Sequence, residues 1–302
     1  MTIDGIINLN KPRDKTSFQM VSLIKRLSRE RRIGHAGTLD PIATGVLPIC
    51  LGKATRLVEF LQDGRKVYQA EIEFGITTDS YDCSGNILSK SDGSSLTRNH
   101  INDALAKFHG AIFQSPPPFS AVKYKGKPLY YWARAGLPVP SKIRTVMIFN
   151  IAVQAFEPPI LDVRIECSKG TYIRSLAHNL GQEVGCGACL NNLVRLQNGP
   201  FGIEESVDVL RVEKAFRGGA YEDVVQSMDI AVLHLPSISV NSDMEQAIYN
   251  GNSVMVSDVE PEPVYWCRAY SADGRLIALL HYDDVEGLWH PKKVLAGPIN
   301  AS

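Results

Sequence analysis

Hydrophobic and polar positions alternate most cleanly between Val67 and Phe74. Tyr68, Ala70, Ile72 and Phe74 fall on one face, and Gln69, Glu71 and Glu73 on the other. That period of two predicts a half-buried strand. A period nearer 3.6 links Phe18, Val21, Ile24 and Leu27, directly after Thr16-x-x-Gln19. The pair has the form of a capping box, so a helix is expected to begin there. Its far end, Arg29 to Arg32, is basic, which suits a helix C-terminus. Ile101, Ala104, Leu105 and Phe108 mark a second helix, closed near Gly110. Short apolar runs predict strands at 6–9, 46–51, 146–156 and 161–167. Pro48 should confine the second of these to a sheet edge or a bulge. Tyr172 to Leu180 reads as a short helix or turn after Gly170, and 204–230 as helical and acidic. Pro116 to Pro140 is rich in Pro, Lys, Tyr and Trp and has neither period, which predicts an ordered insertion or long loop. Leu235-Pro236 opens a last segment of short strands and turns that ends near Pro298.

Strands and helices do not alternate in βαβ fashion, so a doubly wound sheet is not expected. The order predicts an α+β fold with a mainly antiparallel sheet and no internal repeat. A chain of 302 residues, 44% of them hydrophobic, can build one large core and a small second one. No apolar run reaches membrane-spanning length, and Met1 to Lys11 lacks the basic and apolar regions of a signal peptide. A soluble, cytoplasmic protein is expected, with its six cysteines as reduced thiols.

Net charge is zero, yet unevenly spread. Residues 1–70 carry twelve Lys+Arg against six Asp+Glu, 115–156 carry six against none, and 236–302 carry four against nine. The two basic stretches suggest a polyanion surface, and a solvated face balanced by the acidic tail is the ordinary alternative. Gly45 to Thr55 resembles a phosphate-binding loop, but its spacing is wrong. Cys186-x-x-Cys189 lacks the second ligand pair of a zinc site, and His178-Asn179-Leu180 lacks the Glu of a deaminase, so packing thiols are the better reading. Asp40 is the only acid between Glu30 and Glu59 and lies in a Gly-rich loop with His35. Such a carboxylate is either a salt-bridge latch to an Arg, or a nucleophile or base that the Arg keeps ionised. Spacing leaves both open.

The stretch Gly34-His35-Ala36-Gly37-Thr38-Leu39-Asp40-Pro41-x-Ala43-Thr44-Gly45-Val46-Leu47-Pro48 resembles the signature of the bacterial TruB-type tRNA pseudouridine synthases. Four further blocks match in order: Asn10-Lys11-Pro12, Lys66-Val67-Tyr68, Ser120-Ala121-x-Lys123-x-x-Gly126 and Gly170-Thr171-Tyr172-Ile173-Arg174-Ser175-Leu176. The resemblance runs from about residue 3 to 200 and continues more faintly to the end. It implies a pseudouridine synthase fold, a mixed, mainly antiparallel sheet flanked by helices, over residues 1–235. A thumb-like RNA-binding insertion would occupy about 115–145, and a PUA-like β domain 236–302.

The resemblance also implies roles. Asp40 would be the nucleophile and Arg174 its partner. Tyr68 and Tyr172 would line a uracil pocket, Tyr68 stacked on the base, with Leu193 as an apolar contact. His35 would help to extrude the base. Lys11, Pro12 and Lys66 would support the active-site loop. Lys123, Lys125, Lys127 and Arg134 would meet phosphates, while Tyr124, Tyr130 and Trp132 stack on RNA or pack within the insertion. Arg268, Arg275, Lys292 and Lys293 could cluster in the otherwise acidic terminal domain. The implied activity is isomerisation of the uridine at position 55 in the T stem-loop of transfer RNA, by a monomer, with no cofactor, metal or guide RNA. Residue types are compatible with attack by Asp40 at C6 of the base, with attack at C1′ of the sugar, and with elimination to a glycal. A non-catalytic RNA-binding or tRNA-folding protein and a guide-dependent synthase subunit are the alternatives.

Overall fold

The computed structural model describes residues 2–137, 143–256 and 265–296. In chain order the first elements are β1 (Gly5–Lys11), α1 (Ser17–Ser28), β2 (Ile33–His35), β3 (Thr44–Leu51), α2 (Val58–Asp63) and β4 (Lys66–Phe74). Next come β5 (Ile76–Thr78), β6 (Ile87–Lys90), α3 (Arg98–Ala106), β7 (Gly110–Gln114), the pair β8 (Lys123–Tyr124) and β9 (Lys127–Pro128), and α4 (Leu129–Arg134). They are followed by β10 (Arg144–Glu157), β11 (Ile160–Cys167), α5 (Ile173–Val184), β12 (Ala188–Asn198), β13 (Phe201–Gly202) and α6 (Val209–Gly218). The last are β14 (Ser237–Ser239), α7 (Ser242–Tyr249), β15 (Trp266–Tyr270), β16 (Leu276–Asp283) and β17 (Leu288–Val294).

The large sheet runs in the order β1-β3-β12-β4-β11-β10-β7, with β2 paired to β3 and β13 to β12. All of its pairings are antiparallel except β12 with β3, which meet at Val194↔Thr44 and Arg195↔Gly45. The expected α+β class and mainly antiparallel sheet are therefore present. β4 alternates as its sequence requires, with Tyr68, Ala70, Ile72 and Phe74 buried. Those side chains join residues of α3 and α5 in the main core, where Ile101, Ala104, Leu176, Ala177 and Leu180 are buried.

Four expectations need correction. Pro48 does not put β3 at an edge, because β1 pairs along its whole length while β2 and β12 share its other side. The carbonyl of Pro48 faces that second side and accepts from Ala36 N at 2.9 Å. A residue's N–H and C=O point the same way in a strand. The missing donor therefore faces Ala36, whose carbonyl takes the Asn198 amide instead, so no acceptor is left unpaired. Phe18 is exposed rather than packed, because α1 buries Ser17, Met20 and Ile24 and turns Phe18 about 120° away from Ile24. The insertion, expected to be ordered but without a strand or helix period, holds a hairpin of β8 and β9 followed by α4. Its strands are two residues long, too short to show a period, and its turn is Lys125-Gly126 with φ of 47° and 79°. Residues 138–142 of the insertion lie outside the described residues. Finally, 204–230 holds one helix, α6, and two 3₁₀ turns, with Val207 and Gln226 bonded to β1 by isolated bridges.

The second sheet, β14-β15-β16-β17, lies wholly within the expected terminal segment, whose end near Pro298 is outside the described residues. It packs on α2, where Phe60 meets Trp266 edge to face at 5.2 Å and Lys293 pairs with Glu59. Arg268 bonds Leu235 O and the Tyr270 hydroxyl, and Arg275 pairs with Asp273 and Glu245. Three of the four basic residues expected to cluster are thus engaged with different partners.

Where β3 starts beside β12, a Cβ on Gly45 would sit 2.3 Å from Arg195 O and 2.9 Å from Arg195 N, at a φ of 97°. Both obstacles are backbone and cannot yield cheaply. Gly45→Ala is expected to lower the stability in urea by at least about 2 kcal/mol. Gly126→Ala, with open space around its Cβ position, should cost about 1 kcal/mol, the left-handed penalty alone.

Candidate active site

Asp40 lies in the loop between β2 and β3, and that loop is pinned along its length. Ala36, Leu39, Ile42 and Ala43 are buried apolar anchors. Ser17, at the first turn of α1, accepts from Leu39 N at 2.9 Å and donates to Leu39 O at 3.2 Å. Asp14 N donates to Pro41 O at 2.8 Å. From β12, Arg195 Nη2 donates to Gly37 O at 3.0 Å and Asn198 Nδ2 to Ala36 O at 2.6 Å. Lys11 is fully buried at the end of β1, and its ammonium bonds Pro12 O at 2.8 Å, Lys15 O at 2.7 Å and Pro41 O at 3.3 Å. Burial pushes the Lys11 ammonium down to about 8. With the backbone fixed from three sides, the Asp40 carboxylate still emerges, its side chain 29% exposed.

Arg174 meets that carboxylate from below. It belongs to the first turn of α5, after Tyr172, whose backbone N–H and C=O are both bonded by the Gln114 amide, at 2.7 and 2.9 Å. Nε donates to Asp40 Oδ2 at 2.8 Å and Nη2 to Oδ1 at 2.6 Å, a bidentate fork. The remaining donors reach Ser80 O and Phe119 O, both at 3.1 Å, and Asp82 Oδ2 lies 3.3 Å from Nη1. Only 4% of the Arg174 side chain is exposed. Asp82 is equally buried and accepts from the hydroxyls of Ser80 and Ser84, at 2.8 and 2.5 Å. One guanidinium thus ties together the Asp40 loop, the turn before β6, the root of the insertion and α5.

Of the other expected residues, Tyr68, Tyr172 and Lys11 lie within electrostatic reach of Asp40. Tyr68 and Leu193 are buried on neighbouring strands, β4 and β12, where Arg195 opposes Tyr68 and Leu193 opposes Ala70. Burial pushes the Tyr68 hydroxyl pKa up. Tyr172 is half-buried, and burial raises its hydroxyl too. His35 lies on β2, half-buried, with Nδ1 lacking a hydrogen-bond partner. Burial and the charge of Arg195 lower its pKa and favour the neutral ring. Pro12 follows Lys11 and supplies one of its carbonyls. Lys66, at the start of β4, is buried and caps the carbonyls of Leu61, Gln62 and Gly64 at the end of α2. Cys189 packs in the core while Cys186 is half-buried, and the described residues contain no group of ligands able to hold a metal.

Three of the insertion's basic residues lie over its own aromatic rings. Lys125 sits over Tyr124 at 5.4 Å, Lys127 over Tyr131 at 4.1 Å and Arg134 over Tyr130 at 5.5 Å. Tyr124 also meets Trp132 at 5.6 Å, so packing within the insertion holds these rings. Lys123 is exposed in β8.

Three residues of the site escaped sequence reasoning. Asp82 was one acid in a Ser- and Asp-rich turn, Asp79 to Gly85, and nothing local distinguishes it from a turn former. Arg195 and Asn198 are polar residues in β12, and their only signal is an Arg amid Leu193, Val194 and Leu196.

A sequence model described as the N-terminal domain of the TruB family pseudouridylate synthases matches residues 25–173. Curated relatives extend the likeness to nearly the whole chain. A protein of Dehalococcoides mccartyi named tRNA pseudouridine synthase B is 42% identical over 297 residues, 98% of each chain. One of the same name from Clostridium acetobutylicum is 40% identical over 281 residues, 92% of this chain and 95% of its own. This chain belongs to the TruB family. Among solved structures, the chain is similar to one from a Cbf5-Nop10-Gar1 complex, with TM-score 0.72, 26% identity and coverage of 97% of this chain and 85% of that one. An H/ACA RNP bound to a substrate RNA containing 2′-deoxyuridine aligns with TM-score 0.71 and 25% identity over 97% of this chain and 85% of that one.

Because Arg174 faces two carboxylates in a buried place, its removal leaves Asp82 uncompensated. Arg174→Met is expected to cost about 3–5 kcal/mol in urea unfolding. Adding Asp82→Leu should return part of that loss, and full additivity of the two losses would contradict the network.

Proposed function

We propose that this TruB-family chain isomerises the uridine at position 55 in the T loop of transfer RNA to pseudouridine, with Asp40 as nucleophile. The observation that carries the reading is the bidentate grip of Arg174 on Asp40, at 2.6 and 2.8 Å, on a pinned loop that still presents the carboxylate to solvent.

The target base must leave its stack, which costs a few kcal/mol. Tyr68 stacks on the extruded base and Leu193 gives it an apolar wall, recovering on the order of 1–3 kcal/mol. Tyr172 closes the pocket and His35 supports the extruded conformation. Arg174 fixes the direction of the carboxylate, so little geometry remains to be found in the transition state. The N1–C1′ bond breaks, the base turns, C5 bonds C1′, and the proton lost from C5 is balanced by one gained at N1. Lys11, Pro12 and Lys66 act through the loop and the α2 terminus rather than on the base.

Residues 1–235 form the catalytic part, and the insertion at about 115–145 grips the T stem-loop. Its Lys123, Lys125, Lys127 and Arg134 meet phosphates from an aromatic base. Residues 236–302 form a PUA-like domain that buttresses α2. The enzyme acts as a cytoplasmic monomer without guide RNA. The stand-alone reading is favoured because the curated relatives named for transfer RNA are the more similar, at 42% and 40% identity against 25–26% for the ribonucleoprotein subunits.

Incubation with a T-arm transcript, followed by chemical mapping, should place pseudouridine at the T-loop target without any added protein or guide. Folded protein that yields no product at any uridine would sink the proposal. Asp40→Asn should remove all detectable product while keeping RNA affinity within about threefold, because it deletes charge but little contact surface.

A further inference from the structure

Beside the Asp40 loop a cavity of about 400 Å³ opens between the end of α2, the start of β10 and the turn before α5. Lys66, Arg144 and Lys169 line it together with Gly37 and Gly170, and no acid does. Gly37 has a φ of 108° and Gly170 a φ of 78°, so part of the wall is bare backbone that a ligand can approach closely. Gly37 is three residues from Asp40, which places their Cα atoms at most about 11 Å apart. On the other side, Arg144 opposes Gln114, the residue whose amide brackets the Tyr172 backbone. The cavity therefore adjoins the uridine pocket on both sides.

Its three cations differ in what they can offer. Lys66 is buried and its ammonium is already capped by carbonyls, so it supplies fixed charge rather than free donors. Lys169 is paired with Asp63, but both side chains are more than half exposed, and such pairs are weak. Arg144 is exposed and heads its strand. Burial, with the charge of Arg195 beside it, holds the Lys66 ammonium down to about 8.

Resting on the function proposed above, we infer that this cavity receives one backbone phosphate of the substrate RNA next to the extruded uridine, with Arg144 and Lys169 as its ligands. Extruding a nucleotide rotates its flanking backbone as well as its base. A phosphate clamp within one nucleotide of Asp40 would hold that rotated strand and set how deeply the base enters. A second role follows: the clamp reads the backbone and is indifferent to base identity.

The test uses the full-length protein and a T-arm oligoribonucleotide, with copies that each carry one neutral methylphosphonate at a phosphate flanking the target. Arg144→Ala should weaken RNA binding about tenfold and lower the slope of log K against log salt by about one. Arg144→Lys, which keeps the charge, should restore most of that slope and guards against a folding defect. One methylphosphonate should weaken wild-type binding by a similar factor and add little in Arg144→Ala. Fully additive losses at every methylphosphonate, or an unchanged salt slope, would overturn the clamp. Product is scored on the unmodified RNA in the same series. Product with additive losses refutes the clamp alone, whereas non-additive losses without product support the clamp and refute the isomerase reading.

Discussion

The structure turns on a single buried guanidinium shared by two carboxylates. Arg174 reaches Asp40 with two nitrogens and Asp82 with the third, and spends its remaining donors on the carbonyls of Ser80 and Phe119. Burying such a charge is costly unless every donor finds an acceptor. That requirement fixes more than the side chain. It sets where α5 begins, how the turn from Asp79 to Gly85 folds, and where the insertion leaves the sheet. A lysine could not substitute, because a point charge cannot grip two carboxylates in a plane. A structural latch and an aimed carboxylate are compatible in one arrangement, as the nucleophilic role proposed for Asp40 requires. The ion pair fastens the loop and aims its carboxylate.

What could be read from the chain divides by range. Elements whose signal is local were legible: the alternation of β4, the capping box of Thr16 and Gln19, and the long strands β10 and β11. The hairpin in the insertion was not, because two-residue strands carry no period. Pro48 escapes the rule against internal prolines because the carbonyl its N–H would have paired, that of Ala36, is bonded by Asn198 from β12. Phe18 was misread because an apolar residue near the right spacing was taken as part of the buried face. In the site, Asp40 and Arg174 were named through an ordered set of motifs 134 residues apart, which no periodicity connects. Asp82 escaped because its importance lies in what the fold brings to it, and its own neighbours explain it as a turn.

The same long-range logic governs the loop carrying Asp40. The nucleophilic role proposed for Asp40 needs a carboxylate exposed to its substrate on an immobile backbone. The chain meets both demands by turning polar side chains inward onto loop carbonyls. Lys11, Arg195 and Asn198 are all buried, and each donates to the loop or its root. Carbonyl oxygens are neutral acceptors, so these bonds satisfy donors without adding negative charge. The loop is thereby held by cations that no buried acid neutralises.

That choice has an electrostatic consequence. Lys11, Lys66, Arg174 and Arg195 are buried around the site; Asp40 and Asp82 pair with Arg174, while the exposed Asp14 and Asp63 act on Lys11 and Lys66. The buried groups at the site thus carry an excess of positive charge. Burial is the main reason that both lysine ammoniums are pushed down to about 8, and the charge of Arg195 adds to it. The imbalance makes sense if the missing negative charge arrives with the ligand. A bound polyanion would relieve the excess, and its own entry would exclude water and strengthen every interaction in the site. The chain carries as many acids as bases, yet it gathers its basic excess in the N-terminal and insertion segments and its acidic excess in the terminal domain. Net neutrality and a strongly positive site are thus compatible, because the fold sorts charge by position.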